Sequence, residues 1–211
     1  IVSAVDLNRD GKLDVIVNQI LQIDQSGSAI DGCELFLGNG DGTFRDPESY
    51  GVGTGLSVRD VRDLNGDGIP DRVGTDSGSL GGIAVAVLLG KGDGTFRDER
   101  VSGDTSDSIV IDQVIDVNGD GKPDLLAGNL RFGSAVGAKV YLNNGDGTFA
   151  DPIEYGAGLS LTRVQLLDTN GDGIPDLFGV DPTNTLYVYL GRGDGTFADP
   201  FGTSTRLTSF A

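Results

Sequence analysis

Asp6-Leu7-Asn8-Arg9-Asp10-Gly11-Lys12-Leu13-Asp14 is the first of four phrases that read D-x-N-x-D-G-x-x-D, and the others open at Asp63, Asp116 and Asp168. Their first residues lie 57, 53 and 52 positions apart, close to one fixed period. A second phrase, G-D-G-T-F, interleaves with the first at 40–44, 92–96, 145–149 and 193–197. Self-similarity at one period is the mark of a repeat architecture in which each unit is one supersecondary element. We divide the chain accordingly into repeats 1 to 4, approximately 1–55, 56–108, 109–160 and 161–211.

Short apolar runs rich in β-branched and aromatic residues lie between the phrases, at 13–17 and 33–37 in repeat 1, 83–89 in repeat 2, 139–142 in repeat 3 and 185–190 in repeat 4. These read as strands, and no helical period persists for three turns. A further segment follows each Phe, clearest at 45–51 and 150–156, so that each unit carries four strands. About 50 residues with four antiparallel strands and period-locked turns predict an all-β fold, a β-propeller built of four-stranded antiparallel blades. A plain sandwich has no reason to repeat one loop at a near-constant interval. The length differences between repeats fall in the middle hairpin, around 22–32 in repeat 1 and 76–82 in repeat 2. Loops that vary over a fixed scaffold are where recognition resides.

Composition narrows the chemistry. Fifteen Lys plus Arg against 32 Asp plus Glu leave a net charge of −17, the wrong sign for a nucleic-acid partner. The chain has no His, Met or Trp and a single Cys, which removes His-based triads, Cys/His zinc sites, haem ligation by His or Met, and any internal disulfide. No apolar run is long enough for a membrane-spanning helix. The chain opens on Ile1, which we read as a processed or trimmed start.

The nine-residue phrase carries a chemistry of its own. Side-chain oxygens at positions 1, 3, 5 and 9, a glycine at 6 and a backbone carbonyl at 7 reproduce much of an EF-hand loop, with the distal acid moved to position 9 so that the loop closes between two strands. The candidate ligands are Asp6, Asn8, Asp10, the Lys12 carbonyl and Asp14, then Asp63, Asn65, Asp67, the Ile69 carbonyl and Asp71. Repeats 3 and 4 supply Asp116, Asn118, Asp120, the Lys122 carbonyl and Asp124, then Asp168, Asn170, Asp172, the Ile174 carbonyl and Asp176. A turn needs one Asx residue, whereas three carboxylates held together repel unless a cation lies among them. All-oxygen protein ligands favour Ca²⁺ over Mg²⁺ or zinc, about one ion per repeat. Three carboxylates per site suit the millimolar calcium outside cells, so we expect a secreted or cell-surface protein whose ions are structural.

The loop, followed by a strand hairpin and L-G-x-G-D-G-T-F, closely resembles the FG-GAP or VCBS repeat, the blade unit of integrin α-subunit propellers and of many secreted bacterial and fungal proteins. The resemblance covers essentially the whole chain. It implies Ca²⁺ at the same residues in each loop. The chain has four units where seven are common in that family, and it lacks the full Phe-Gly…Gly-Ala-Pro signature.

Other features take plainer readings. G-D-G is a hairpin turn whose Phe (Phe44, Phe96, Phe149, Phe197) is expected to return to the core. Arg192-Gly193-Asp194 spells an integrin-read tripeptide, but sister repeats place Asn39, Lys91 and Asn144 at the position of Arg192, which marks it as turn sequence. Cys33 reads as a small core residue, since no cation lies near it in sequence. No acid outside the loops and turns has a setting that suggests catalysis, and no enzyme activity is expected. The function read from sequence is a calcium-stabilised extracellular module for adhesion, assembly or scaffolding, with protein or glycan surface partners. The alternatives are a lectin of the same fold, with Tyr50 and Tyr155 the repeated aromatic candidates, or an accessory domain of a larger secreted enzyme. The chain holds a whole number of repeats, so further copies of itself or flanking repeats are expected as partners.

Overall fold

The computed structural model describes residues 2–23, 29–50, 56–76, 83–97, 100–102, 109–129, 137–159, 161 and 163–200. All regular structure among them is β, as expected. Repeat 1 forms β1 (Val2–Val5), β2 (Asp14–Ile23), β3 (Ala29–Phe36) and β4 (Glu48–Tyr50). Repeat 2 forms β5 (Leu56–Arg62), β6 (Asp71–Asp76), β7 (Ala84–Leu88) and β8 (Arg100–Ser102). Repeat 3 forms β9 (Ile109–Ile115), β10 (Asp124–Asn129), β11 (Ala138–Tyr141) and β12 (Ile153–Tyr155), and repeat 4 forms β13 (Arg163–Leu167), β14 (Asp176–Val180) and β15 (Leu186–Tyr189). The strand expected to follow β15 falls in 201–211, outside the described residues.

Each repeat is one antiparallel meander: β1-β2-β3-β4, β5-β6-β7-β8, β9-β10-β11-β12 and β13-β14-β15. The acidic phrase joins the first strand to the second in every repeat, and G-D-G-T-F follows the third. The extra residues of repeat 1 lengthen its middle hairpin, so β2 runs to ten residues and β3 to eight, with a bulge between Ile20 and Gln22. In repeats 2 and 3 the corresponding tips, 77–82 and 130–136, lie outside the described residues.

The chain forms two compact units: Ile1–Ser106 with Gly145–Thr148, and Asp107–Asn144 with Phe149–Ala211. Burying one apolar face of a sheet requires a second layer, and each unit meets this by laying one repeat on the next. In the first unit Leu7, Ile16, Cys33 and Leu35 of repeat 1 pack with Val58, Val61 and Ala86 of repeat 2. In the second, Leu126, Ala138 and Val140 of repeat 3 pack with Val164, Leu166, Leu177 and Tyr189 of repeat 4. Strand β13 alternates strictly, with Val164 and Leu166 buried and Arg163, Gln165 and Leu167 exposed.

The four turn phenylalanines do not share one fate. Phe149 and Phe197 are buried and Phe96 packs against the core of the first unit, as expected. Phe44 is 44% exposed and meets only the edge of Phe36 among the aromatic contacts, with ring centroids 6.3 Å apart. The expectation of one core Phe per repeat therefore fails in repeat 1. The reason lies outside the repeat: Phe197 is covered by Tyr155 of repeat 3, with ring centroids 5.1 Å apart, and nothing equivalent covers Phe44 among the described residues.

Candidate metal centres

Every acidic loop folds by the same local hydrogen bonds. The position-1 carboxylate accepts the N–H of the position-6 glycine: Gly11 to Asp6, Gly68 to Asp63, Gly121 to Asp116 and Gly173 to Asp168, all at 2.8–2.9 Å. The position-3 Asn oxygen accepts the N–H of position 5, and the position-5 carboxylate accepts the N–H of position 7, as in Asp120 to Asn118 at 3.0 Å and Lys122 to Asp120 at 2.9 Å. The position-6 glycines hold φ between +74° and +83°, the left-handed conformation that winds the chain back on itself. Positions 1, 3 and 5 are thus gathered round the loop.

Position 9 sits apart, at the base of the loop. Asp14, Asp71, Asp124 and Asp176 are fully buried, and each accepts two backbone N–H groups. One comes from position 2 of its own loop: Leu7, Leu64, Val117 and Thr169, each at 2.9 Å. The other comes from the residue that opens the G-D-G-T-F hairpin: Gly38, Gly90, Asn143 and Gly191, at 2.8–2.9 Å. This carboxylate therefore staples the loop to the second turn of the repeat. The sequence reading assigned it only to the ion; the hidden signal was the repeated residue just before x-G-D-G-T-F, whose N–H needs a buried acceptor.

The electrostatics follow from that burial. Loss of water pushes the Asp71 carboxyl above the usual carboxylate range, and the charges of Asp67 and Asp63 push the same way against two stabilising backbone hydrogen bonds. Asp124 is raised likewise, by burial and then by Asp120 and Asp116. In Asp176 burial also works against ionisation, but the Thr169 hydroxyl and the backbone N–H groups outweigh it and hold the carboxyl low. The Lys122 N–H holds Asp120 low. Among the described residues no three acidic side chains converge as closely as one bound ion would draw them. The donor chemistry nevertheless fits a hard cation: oxygen ligands alone, with like charges close enough to raise the buried carboxyls of repeats 2 and 3.

The loops of repeats 1 and 2 are tied to each other. Arg9, at φ +59°, occupies position 4, where the other repeats have Gly66, Gly119 and Gly171. Its guanidinium donates to the Gly68 carbonyl of repeat 2 at 2.7 Å and to the Asp67 carbonyl at 3.4 Å. In the second unit Gly119 leaves the corresponding place open. A cleft of about 230 Å³ lies there, between Asp116 and Asn118 of repeat 3 and Ile174, Pro175 and Gly193 of repeat 4.

The G-D-G-T-F turns close on themselves. Thr43, Thr95, Thr148 and Thr196 donate both N–H and hydroxyl to the Asp two residues earlier, at 2.9 and 2.6 Å in every copy. Arg192 turns its guanidinium onto the Phe197 carbonyl at 2.9 Å, so the tripeptide is built into its own turn. Tyr155 packs edge-on against Tyr189 and Phe197, and its hydroxyl accepts the Phe197 N–H at 3.2 Å, which makes it a packing residue. The side chain of Tyr50 lies outside the described residues. Cys33 is buried as expected, but its thiol receives a hydrogen bond from Arg72 Nη1 at 2.9 Å, and Arg72 lies over the Phe96 ring. Burial raises the Cys33 thiol and the guanidinium opposes it.

The chain resembles in fold an Agrocybe aegerita lectin described as specifically recognising non-reducing terminal N-acetylglucosamine, with a TM-score of 0.56 and 22% identity over 95% of this chain. The chain spans 65% of that lectin's length. No curated protein matches its sequence. The profile of the FG-GAP-like repeat matches three overlapping stretches, 63–127, 116–178 and 168–211, more than half of the chain. The chain belongs to the FG-GAP-like repeat family.

Proposed function

We propose that the chain is a calcium-stabilised extracellular β-propeller module, non-catalytic, that serves adhesion, assembly or scaffolding. The observation that carries this reading is the fourfold loop itself: side-chain oxygens of positions 1, 3 and 5 gathered on a glycine-permitted turn, above a buried position-9 carboxylate that joins the loop to the second turn of the repeat. A bound Ca²⁺ would supply positive charge among these carboxylates. The residues of this chain would hold it through Asp6, Asn8, Asp10, the Lys12 carbonyl and Asp14, and through their counterparts in repeats 2 to 4. Four nearly identical sites with all-protein oxygen ligands suit support of a scaffold. Calorimetric titration of the chelator-stripped chain tests it: about four Ca²⁺ should bind per chain, and a flat isotherm overturns the reading.

A second reading, glycan binding, is favoured by the likeness in fold to a lectin and by the cleft beside Gly119, whose Asp116 and Asn118 offer polar groups against the apolar Ile174 and Pro175. The packed state of Tyr155 removes one of the two aromatic platforms on which a sugar ring would have been expected to rest. A glycan array probed with and without calcium separates the readings, since a scaffold is blank in both.

A further inference from the structure

Repeats 2 and 4 present the same surface to the repeat before them. Asn65-Gly66-Asp67-Gly68-Ile69-Pro70-Asp71 recurs letter for letter at 170–176, and Gly92 to Phe96 recurs at 193–197. The facing acidic loops differ at position 4, which is Arg9 in repeat 1 and Gly119 in repeat 3. At the junction of repeats 1 and 2 the Arg9 guanidinium lies on this surface, and its Nη2 donates to the Gly68 carbonyl at 2.7 Å and the Asp67 carbonyl at 3.4 Å. The side chain runs past both glycines of the surface. A β-carbon on Gly68 would lie 3.1 Å from Arg9 Nη2, and one on Gly92 would lie 3.9 Å from Arg9 Cδ.

The junction of repeats 3 and 4 keeps the surface in the same shape. A β-carbon on Gly193 would lie 3.3 and 3.7 Å from Cδ1 and Cγ1 of Ile174, as one on Gly92 would lie 3.4 and 3.7 Å from the same atoms of Ile69. Where Gly92 and Gly68 then meet Arg9, Gly193 meets no further atom within 4 Å and Gly173 meets none at all. That space is the cleft of about 230 Å³ beside Gly119, walled by Asp116, Asn118, Ile174 and Pro175. It is smaller than the roughly 300–1,000 Å³ of pockets that enclose a whole small molecule, and it suits a single side chain. Arg192, next to Gly193 in sequence, is turned away onto the Phe197 carbonyl.

We propose that the cleft beside Gly119 receives an arginine side chain of a partner protein, whose guanidinium takes the Gly173 and Asp172 carbonyls as Arg9 takes those of Gly68 and Asp67. Its methylenes would lie over Gly193 and beside Ile174. Two adjacent carbonyls suit the planar, weakly hydrated guanidinium with its several N–H donors better than the compact, strongly hydrated ammonium of lysine. A chain of net charge −17 also draws cationic segments toward it. A glycan would have to use this same cleft, and the occupant of the sister junction favours a guanidinium there. The carbonyls concerned belong to positions 5 and 6, whereas the proposed ion ligands are the side chains of positions 1, 3, 5 and 9 and the carbonyl of position 7, so the inference does not depend on calcium. That the arginine is carried by a protein rests on the adhesion or assembly role proposed above.

Titration of the isotope-labelled full chain with N-acetyl-arginine methylamide, followed through its amide NMR signals, tests the site. The signals of Gly119, Gly173 and Gly193 should move together, and the matching lysine amide should bind weaker by about tenfold or more. Gly119→Arg should abolish binding, because the new side chain can occupy the cleft from a left-handed position as Arg9 does at φ +59°. Arg9→Gly should add a second site, seen at Gly68 and Gly92, and it decides the matter by itself if Gly119→Arg fails to fold. No shift at the three glycines, equal binding of the lysine amide, wild-type binding by a folded Gly119→Arg, or no second site in Arg9→Gly overturns the proposal. So does a glycan that binds the wild type and is lost in Gly119→Arg while the arginine amide leaves the cleft untouched. Free arginine binding tighter than the capped residue by about tenfold or more would make this an amino-acid site and overturn the protein partner. Failure of the calcium reading looks different: melting is indifferent to chelator while the arginine amide still binds.

Discussion

Asp124 and Asp120 sit four residues apart in one loop and do different work. Asp124 is fully buried and accepts the N–H groups of Val117 and Asn143, so Asp124→Ala strands two buried donors and should cost about 2–4 kcal/mol whether or not calcium is present. Asp120 sits at the surface, where it accepts the Lys122 N–H and pairs with the Lys122 ammonium at 3.4 Å, so Asp120→Ala should cost under about 1 kcal/mol in chelator and more in calcium. Urea unfolding of both variants in the two conditions checks the contrast. The turn acids make a pH prediction. Hydrogen bonds from Thr95 and Thr196 hold Asp93 and Asp194 below the ordinary carboxylate value of about 3.9. A depressed folded pKa contributes stability above the unfolded value and loses it as pH falls through the folded one. Acidification from pH 5 toward 3 should therefore lower the melting midpoint through these groups, and an Asp93→Asn/Asp194→Asn double variant should show a shallower fall over the same range.

At the scale of the element, the contact between loop and turn decides what each strand end tolerates. A β-carbon on Gly90 would lie 2.3 Å from the Pro70 carbonyl oxygen, so Gly90→Ala forces backbone to move and should cost about 1–3 kcal/mol. Repeat 3 places Asn143 there and turns its amide to donate to the Pro123 carbonyl at 3.0 Å. Gly90→Asn, able to bond the Pro70 carbonyl in the same way, should be milder than Gly90→Ala in the same thermal melt. Arg9 sets a second order. It is held in a left-handed conformation and repays that strain through its hydrogen bonds to repeat 2. Arg9→Ala loses the bonds and keeps the strain, whereas Arg9→Gly loses both, so the Gly variant should exceed the Ala variant in stability by about 1 kcal/mol. Equal stabilities would show that the loop relaxes once the guanidinium is gone.

For the whole molecule, the decisive quantity is the charge of −17, of which twelve acids lie in the four loops. Four bound Ca²⁺ would halve that excess to about −9 and stabilise the folded chain by roughly 2.7 kcal/mol per site at free calcium 100 times Kd. The melting midpoint should therefore fall by more than about 10 °C when calcium is chelated at neutral pH. An unchanged midpoint in differential scanning calorimetry would remove the structural role of the ion.

What the sequence determined alone was everything closed within a few residues. The acidic loops and the G-D-G-T-F turns were legible because their hydrogen bonds join residues two to seven apart, so the pattern of Asp, Asn, Gly and Thr already encodes the fold of each loop. Strand positions were legible from apolar runs bounded by those turns. The tertiary structure alone decided what depends on neighbours distant in sequence. It covered Phe197 with Tyr155, whereas Phe44, in an identical phrase, is 44% exposed and meets Phe36 at its edge. It set Arg72 on Cys33 and Arg9 on Gly68, pairings 39 and 59 residues apart that no local period announces. It also gave the position-9 aspartates their second task, because the N–H groups they accept are brought to them only when the third strand returns to the loop. Packing one sheet on the next chooses those partners, and that choice is written in shape and burial across repeats, where sequence periodicity is silent.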